Sequence, residues 1–168
     1  MRWLLCRRYK VGKLQKVSHN YTLLIIPLSS PLLLGVYQDN SLVESFESKE
    51  KTSDSLLPLI DTILQRYELN RIIYTRGPGS YMAIKLSYIM LKTIELVKKI
   101  PLFGCSAFEC NGNKPIKAIG NLYFIKEKET IITKKFQEKI EQVFWLPKSL
   151  DELQVDKDAT PDYSLPAV

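Results

Sequence analysis

Four consecutive residues, Gly77-Pro78-Gly79-Ser80, lie between an apolar run ending at Arg76 and a long apolar segment beginning at Tyr81. A glycine-rich turn at the start of a helix can hold a phosphate on free backbone N–H groups, aided by the positive end of the helix dipole. Pro78 removes one of those donors, and no Lys-Ser or Lys-Thr pair follows, so the stretch is not a P-loop. The same residues make a tight turn, with Ser80 placed to cap the following helix. Two readings therefore stand: a structural turn or a vestigial phosphate loop.

The other groups able to do chemistry are few. Asp54 and Asp61 fall in one helical stretch, where they read as a dipole-facing acid and a solvated face. Asp39 is a turn residue, and Glu109 stands near Cys105 and Cys110 with no neighbour that gives it a role. The single histidine, His19, lies outside the apolar pattern, so neither a histidine metal site nor a Ser-His-Asp triad can form in the body. Three cysteines, Cys6, Cys105 and Cys110, show no CxxC spacing and read as reduced thiols in a cytoplasmic protein. The residues imply no catalytic set, no metal and no cofactor.

These groups must be positioned by a chain of 168 residues, 45% apolar and 25% charged, enough for one sizeable core. No apolar run approaches a membrane span, so no membrane association is expected. The net charge of +6 is confined to residues 1–20, which hold Arg2, Arg7, Arg8, Lys10, Lys13 and Lys16 and no acid. That leader is expected to be a separate, disordered extension; the body is neutral overall, which argues against a dedicated phosphate-tracking surface.

Short apolar runs at Tyr21–Leu28, Pro31–Gln38 and Ser41–Ser48 read as strands. Asp39-Asn40 tolerates the positive φ of a hairpin turn between the last two. Pro27 would cost a central strand a ladder bond, so the first strand ends or bulges there. "SDSLLPLIDTILQRYEL" reads as a helix, with Pro58 favouring Ser55 as its cap. "NRIIYTR" is a fourth strand, Ser80 to Lys99 a second helix stopped by Pro101, and "PLFGCS" a fifth strand. Beyond Asn111 the reading is one or two strands near Lys126–Glu129, one or two helical turns in "QEKIEQVFW", and an irregular tail from Leu146.

The order β-β-β-α-β-α-β implies an α/β mixed sheet with an antiparallel hairpin and helical crossovers. It resembles the ribonuclease-H-like half of the actin, sugar-kinase and Hsp70 ATPase architecture. The expected organisation is a leader over 1–20, a ribonuclease-H-like domain over 21–110, and a reduced second lobe with tail over 111–168. The second helix is unusual: between Tyr81 and Leu96 its only polar residues are Lys85, Ser87, Lys92, Thr93 and Glu95. One apolar face must pack on the sheet. Another, carrying tyrosine and methionine, suits a partner; the alternative is burial under the chain's own C-terminal segment.

"RGPGSYMAIKLSYIMLKTIELVKKIPLFGCSAFE" (Arg76–Glu109) resembles the Gly-Pro-Gly-Ser-Phe-Thr-Gly-Leu-Arg segment of the bacterial TsaB (YeaZ) family and its following Ile-Pro-Leu-x-Gly-x-Ser-x-x-Glu strand. "SDSLLPLIDTIL" is similar to that family's His-Ser-Glu-x-Leu-Leu-Pro-Leu-Ile helix, and the terminal "PDY" to its Pro-x-Tyr ending. The departures are specific. Ile26-Pro27-Leu28-Ser29 stands where the family has Ile-Asp-Thr-Ser, and Met82-Ala83-Ile84-Lys85 where it has Thr-Gly-Leu-Arg. Ala118-Ile119-Gly120 replaces Asp-Ala-Arg, and the second lobe is shorter.

The resemblance implies a non-catalytic subunit that binds a TsaD-like enzyme through its first two helices. With a TsaE-like ATPase as a further partner, it would support threonylcarbamoylation of tRNA, which it would meet through the complex. It also implies pairing with a second copy when the partner is missing. The interface residues it suggests are Leu56, Leu59, Ile60 and Ile63 on the first helix, with Tyr81, Met82, Lys85, Tyr88 and Ile89 on the second. The alternatives are a small ATPase-fold nucleotide-binding protein using Gly77–Ser80, and an RNA-binding module working through the basic leader.

Overall fold

The structure is a computed structural model and describes residues 19–164; the leader expected over residues 1–20 lies almost wholly outside them. Strands β1 (Tyr21–Ile26), β2 (Leu32–Gln38) and β3 (Ser41–Ser48) form a meander. The β2–β3 loop is Asp39-Asn40, with φ of 49° and 71°, and Gln38 pairs with Ser41. Two successive left-handed residues match the right-handed twist of the flanking strands. Helix α1 (Thr52–Arg66), strand β4 (Leu69–Thr75), helix α2 (Tyr81–Lys98) and strand β5 (Leu102–Cys105) follow. The first sheet runs β3-β2-β1-β4-β5, with β1, β4 and β5 parallel. Both crossovers advance the same way along the sheet, so right-handed connections put both helices on one face. Strands β6 (Ile116–Ile119), β7 (Leu122–Glu127) and β8 (Thr130–Lys135) make a separate antiparallel sheet.

Strand β1 shows why the central strands are continuous apolar runs. Leu23 and Ile25 join Leu56, Ile60, Ile63 and Leu91 beneath the helices. Leu24 and Ile26 face the other way, with Tyr37, Ile73, Leu150 and Leu153. Both faces are covered, so both sets are apolar. The strand stops at Ile26, just before Pro27.

Three local expectations are corrected. First, α1 begins at Thr52 behind Lys51, which makes no side-chain cap bond, so Ser55 lies inside the helix. The Ser55 hydroxyl donates to the Lys51 carbonyl at 3.0 Å, and Pro58 is accommodated in the helix interior, on its exposed side. Second, "QEKIEQVFW" is not helical. From Glu141 to Leu146 exposed and half-buried residues alternate, the period of extended chain.

Third, residues 146–164 are not an irregular tail but a strap across the sheet face opposite the helices. Ser149 bridges to Ser41 at the β3 edge, and Asp156 bridges to Gly104 on the outer edge of β5. The buried Tyr37 hydroxyl donates to the Pro147 carbonyl at 2.8 Å, and Leu150 and Leu153 are buried. The strap then rounds β5 to the helix side, where the Tyr74 hydroxyl donates to the Ala159 carbonyl.

Candidate partner-binding face of the helices

The strap covers the opposite face of the sheet, and among the described residues the outer side of α1 and α2 is left open. Along α2, Met82, Leu86, Ile89, Thr93 and Leu96 follow one another at intervals of four, three, four and three residues. That spacing lines one side of a helix and is the seam pattern by which helices interdigitate. Met82 is 71%, Ile89 54% and Leu96 63% exposed, so the seam has no cover within the described residues. Among the described residues of the C-terminal segment, Tyr163 packs on Tyr81 in the first turn with ring centroids 4.7 Å apart. Beside the seam an apolar groove of about 270 Å³ runs between the helices, lined by Leu57, Ile60 and Leu64 of α1 and Thr93, Ile94 and Val97 of α2.

This geometry divides the residues suggested from sequence. Leu56, Ile60 and Ile63 are buried in the core beneath α1, with Ile60 alone also touching the groove. They are the stripe that packs α1 on the sheet and are corrected from partner-facing to core. Leu59 and Tyr88 are half-buried against the same core, and Tyr88 stacks on Tyr74 at 6.4 Å. Tyr81, Met82, Lys85 and Ile89 are exposed. Leu57, Leu64, Leu86, Leu96 and Val97 were not singled out from sequence, although the four-three repeat on α2 was there to be read.

Charge at this face is sparse and locally paired. Lys92 Nζ lies 2.6 Å from Glu95 Oε2, which raises the lysine and holds the Glu95 carboxyl below the usual carboxylate range. Glu95 Oε1 also accepts the Leu102 N–H at 3.0 Å, tying the end of α2 to the start of β5. Lys85 sits over the Tyr81 ring at 5.8 Å.

The Gly77–Ser80 turn is filled by the chain itself. Gly77 and Pro78 are buried, and a β-carbon on Gly77 (φ +131°) would lie 2.6 Å from the Asp162 carbonyl oxygen. The Asp162 N–H donates to Arg76 O at 2.8 Å, and the Ala107 N–H to Gly77 O at 2.9 Å. Leu28 packs on Gly79. Ser80 begins α2 without a side-chain cap bond. With chain packed on both glycines, the geometry favours the structural turn.

At the carboxyl ends of β4 and β5 an open cavity of about 520 Å³ is lined by Arg76, Glu109, Lys126, Asp156 and Lys157 among others. Among its charged groups, Arg76 and Glu109 are engaged. Arg76 lies 3.6 Å from Asp156 and 3.9 Å from Asp158, while Glu109 accepts the N–H groups of Ser106 at 3.2 Å and Gln154 at 2.8 Å. Behind it, the hydrogen bond with the Cys110 thiol and burial push the Cys105 thiol well above its ordinary range. Among the described residues no cluster of three or more His, Cys, Asp or Glu could hold a metal.

The sheet order and same-face crossovers define a ribonuclease-H-like mixed α/β fold. YeaZ from Pseudomonas aeruginosa shares it, with a TM-score of 0.54 and 10% identity over 70% of this chain and 65% of that one. A second structure, of a protein described as similar to peptidase YEAZ from Pseudomonas aeruginosa, gives a TM-score of 0.50 and 12% identity over 70% and 64%. No family model matches the chain. Two curated proteins do, each named tRNA threonylcarbamoyladenosine biosynthesis protein TsaB. That of Buchnera aphidicola subsp. Schizaphis graminum is 26% identical over 118 residues, 67% of this chain and 52% of its own. That of Buchnera aphidicola subsp. Acyrthosiphon pisum is 26% identical over 106 residues, 60% and 44%. These likenesses support an assignment to the TsaB (YeaZ) family. It spans about half the length of the curated relatives it matches.

Proposed function

We propose that this chain is a non-catalytic subunit in the formation of threonylcarbamoyladenosine on tRNA, docking a TsaD-like enzyme on the outer face of α1 and α2. The observation that carries the reading is the exposed Met82-Leu86-Ile89-Thr93-Leu96 seam with the groove beside it. An apolar seam at coiled-coil spacing gains most from a facing helix, because apolar side chains then leave water on both partners. Likeness to the TsaB family supports the pathway, and the turn filled by Asp162 supports a role without phosphate chemistry. The docking residues proposed are Leu57, Tyr81, Met82, Lys85, Ile89 and Leu96, with Leu86 and Val97 at their border. A TsaE-like ATPase is the further partner of the complex, and a second copy of this chain would occupy the seam when the enzyme is missing.

Reconstitution tests it. The TsaD-like and TsaE-like proteins of the same host, with tRNA transcript, threonylcarbamoyl-adenylate precursor and ATP, should modify tRNA only when this chain is added. Modification at full rate without the chain would contradict the reading.

A further inference from the structure

The charge of the body is segregated. Residues 114–139 contain Lys114, Lys117, Lys126, Lys128, Lys134, Lys135 and Lys139 against Glu127, Glu129 and Glu138, a net of +4. Residues 21–168 hold 18 basic and 18 acidic side chains, so the remainder of that body carries −4. The positive segment is the three-stranded sheet β6-β7-β8 with its turns. All seven lysines are exposed, and none is in an ion pair among the described residues. The pairing register puts Lys117 and Lys134 on either side of Tyr123 in one row across the sheet, on one face. Phe124, opposite Ile116 and Thr133, points to the other face and packs against Phe108 in the core.

Lysines on an edge strand often serve only to block pairing with another sheet. That explains Lys134 and Lys135 on β8, and Lys126 where β7 has run past its pairing with β6, but not Lys128 in the β7–β8 turn. Lys126 also faces the cavity at the ends of β4 and β5, next to Arg76 and Lys157, where Asp156 and Glu109 oppose them. Unpaired lysines at this density around a small sheet match a polyanion.

We propose that the β6-β7-β8 sheet is a docking surface for the phosphate backbone of RNA. The choice of RNA as the polyanion rests on the function proposed above; the surface itself rests on unpaired charge around the sheet, with Lys117 and Lys134 on one face and Lys126 and Lys135 on the other. The contacts are to phosphate, so they supply position and affinity without reading sequence.

The test uses the full chain and a labelled tRNA transcript, with affinity measured by anisotropy between about 50 and 200 mM salt. No partner protein is present, so failure of the helical docking leaves this result untouched and the reverse. One variant carries Lys117, Lys126, Lys134 and Lys135→Gln; another has the six leader cations changed to Gln. The sheet variant should melt like the parent, bind at least tenfold more weakly, and lose about 3 from the salt slope. The leader variant should keep that lysine-dependent part. If the sheet variant is destabilised, Lys126→Gln with Lys128→Gln, both outside β6 and β8, should still weaken binding severalfold. Affinity and slope equal to the parent's in these variants would overturn the proposal. So would binding to phosphatidylglycerol vesicles that needs the same lysines while tRNA binding does not.

Discussion

Asp162 closes over Gly77: its main-chain carbonyl leaves no room for a β-carbon there, and its N–H bonds the Arg76 carbonyl at 2.8 Å. The C-terminal strap thus ends on the turn that opens α2. A residue near the end of the described chain fixes the entry of the helix proposed to meet the partner.

Gly77→Ala should therefore cost about 2–4 kcal/mol, from a positive φ and a steric clash together. Gly120 has φ +54° but no atom within 4 Å of an added β-carbon, so Gly120→Ala should cost only about 1 kcal/mol. Denaturant unfolding of the two variants checks the difference. Equal losses would mean that contact with Asp162 adds nothing.

The two sides of the helices should answer differently to substitution. Ile60→Ala removes buried side chain beneath α1 and should cost about 2–5 kcal/mol. Ile89→Lys changes an exposed seam residue and should shift stability by no more than about 0.5 kcal/mol. Tyr88→Glu, which places a charge against Tyr74 and the core, should resemble Ile60→Ala. Thermal melts of the three variants measure this.

Glu95 gives the end of α2 an acid dependence. Its carboxyl is held below the ordinary range by Lys92 and by the Leu102 N–H. A depressed folded-state value contributes stability above the unfolded carboxylate pKa, and that contribution disappears as pH falls through the folded value. The pair is partly exposed, so solvent screens it and its share is small. Glu95→Gln should lower stability at neutral pH, and its difference from the parent should shrink as acid protonates the carboxyl, in urea titrations across pH.

Cys105 and Cys110 should stay unlabelled by iodoacetamide in the native protein at pH 8 and react once it is unfolded. Both are buried, and the Cys105 thiol is pushed up by its neighbour and by burial. Peptide mapping of the alkylated protein separates these sites from Cys6.

The order of the first five strands and two helices was legible because strong punctuation bounds each apolar run. Asp39-Asn40, Gly77-Pro78-Gly79 and Pro101 each stand between elements in the structure. The faces of α1 were not legible. Leu56, Leu57, Leu59, Ile60, Ile63 and Leu64 fall within one arc of about 160°, and only the position of the sheet selects which of them are core. The strap escaped for a different reason. Leu146, Leu150, Leu153, Val155 and Ala159 keep no regular period, and they are ordered by contacts with distant strands rather than by local structure. The seam on α2 lay in plain spacing, but a pattern of apolar residues carries no mark of which stripe the sheet will take.

The most direct measurement of the central claim is light scattering after size exclusion of this chain mixed with the TsaD-like protein of its own host. Parent chain and the double variant Ile89→Lys, Leu96→Lys would be run side by side, after their melts are shown to agree. The account predicts a stoichiometric complex with the parent and separate species with the variant. No complex with the parent, or an undiminished complex with the variant, would contradict it.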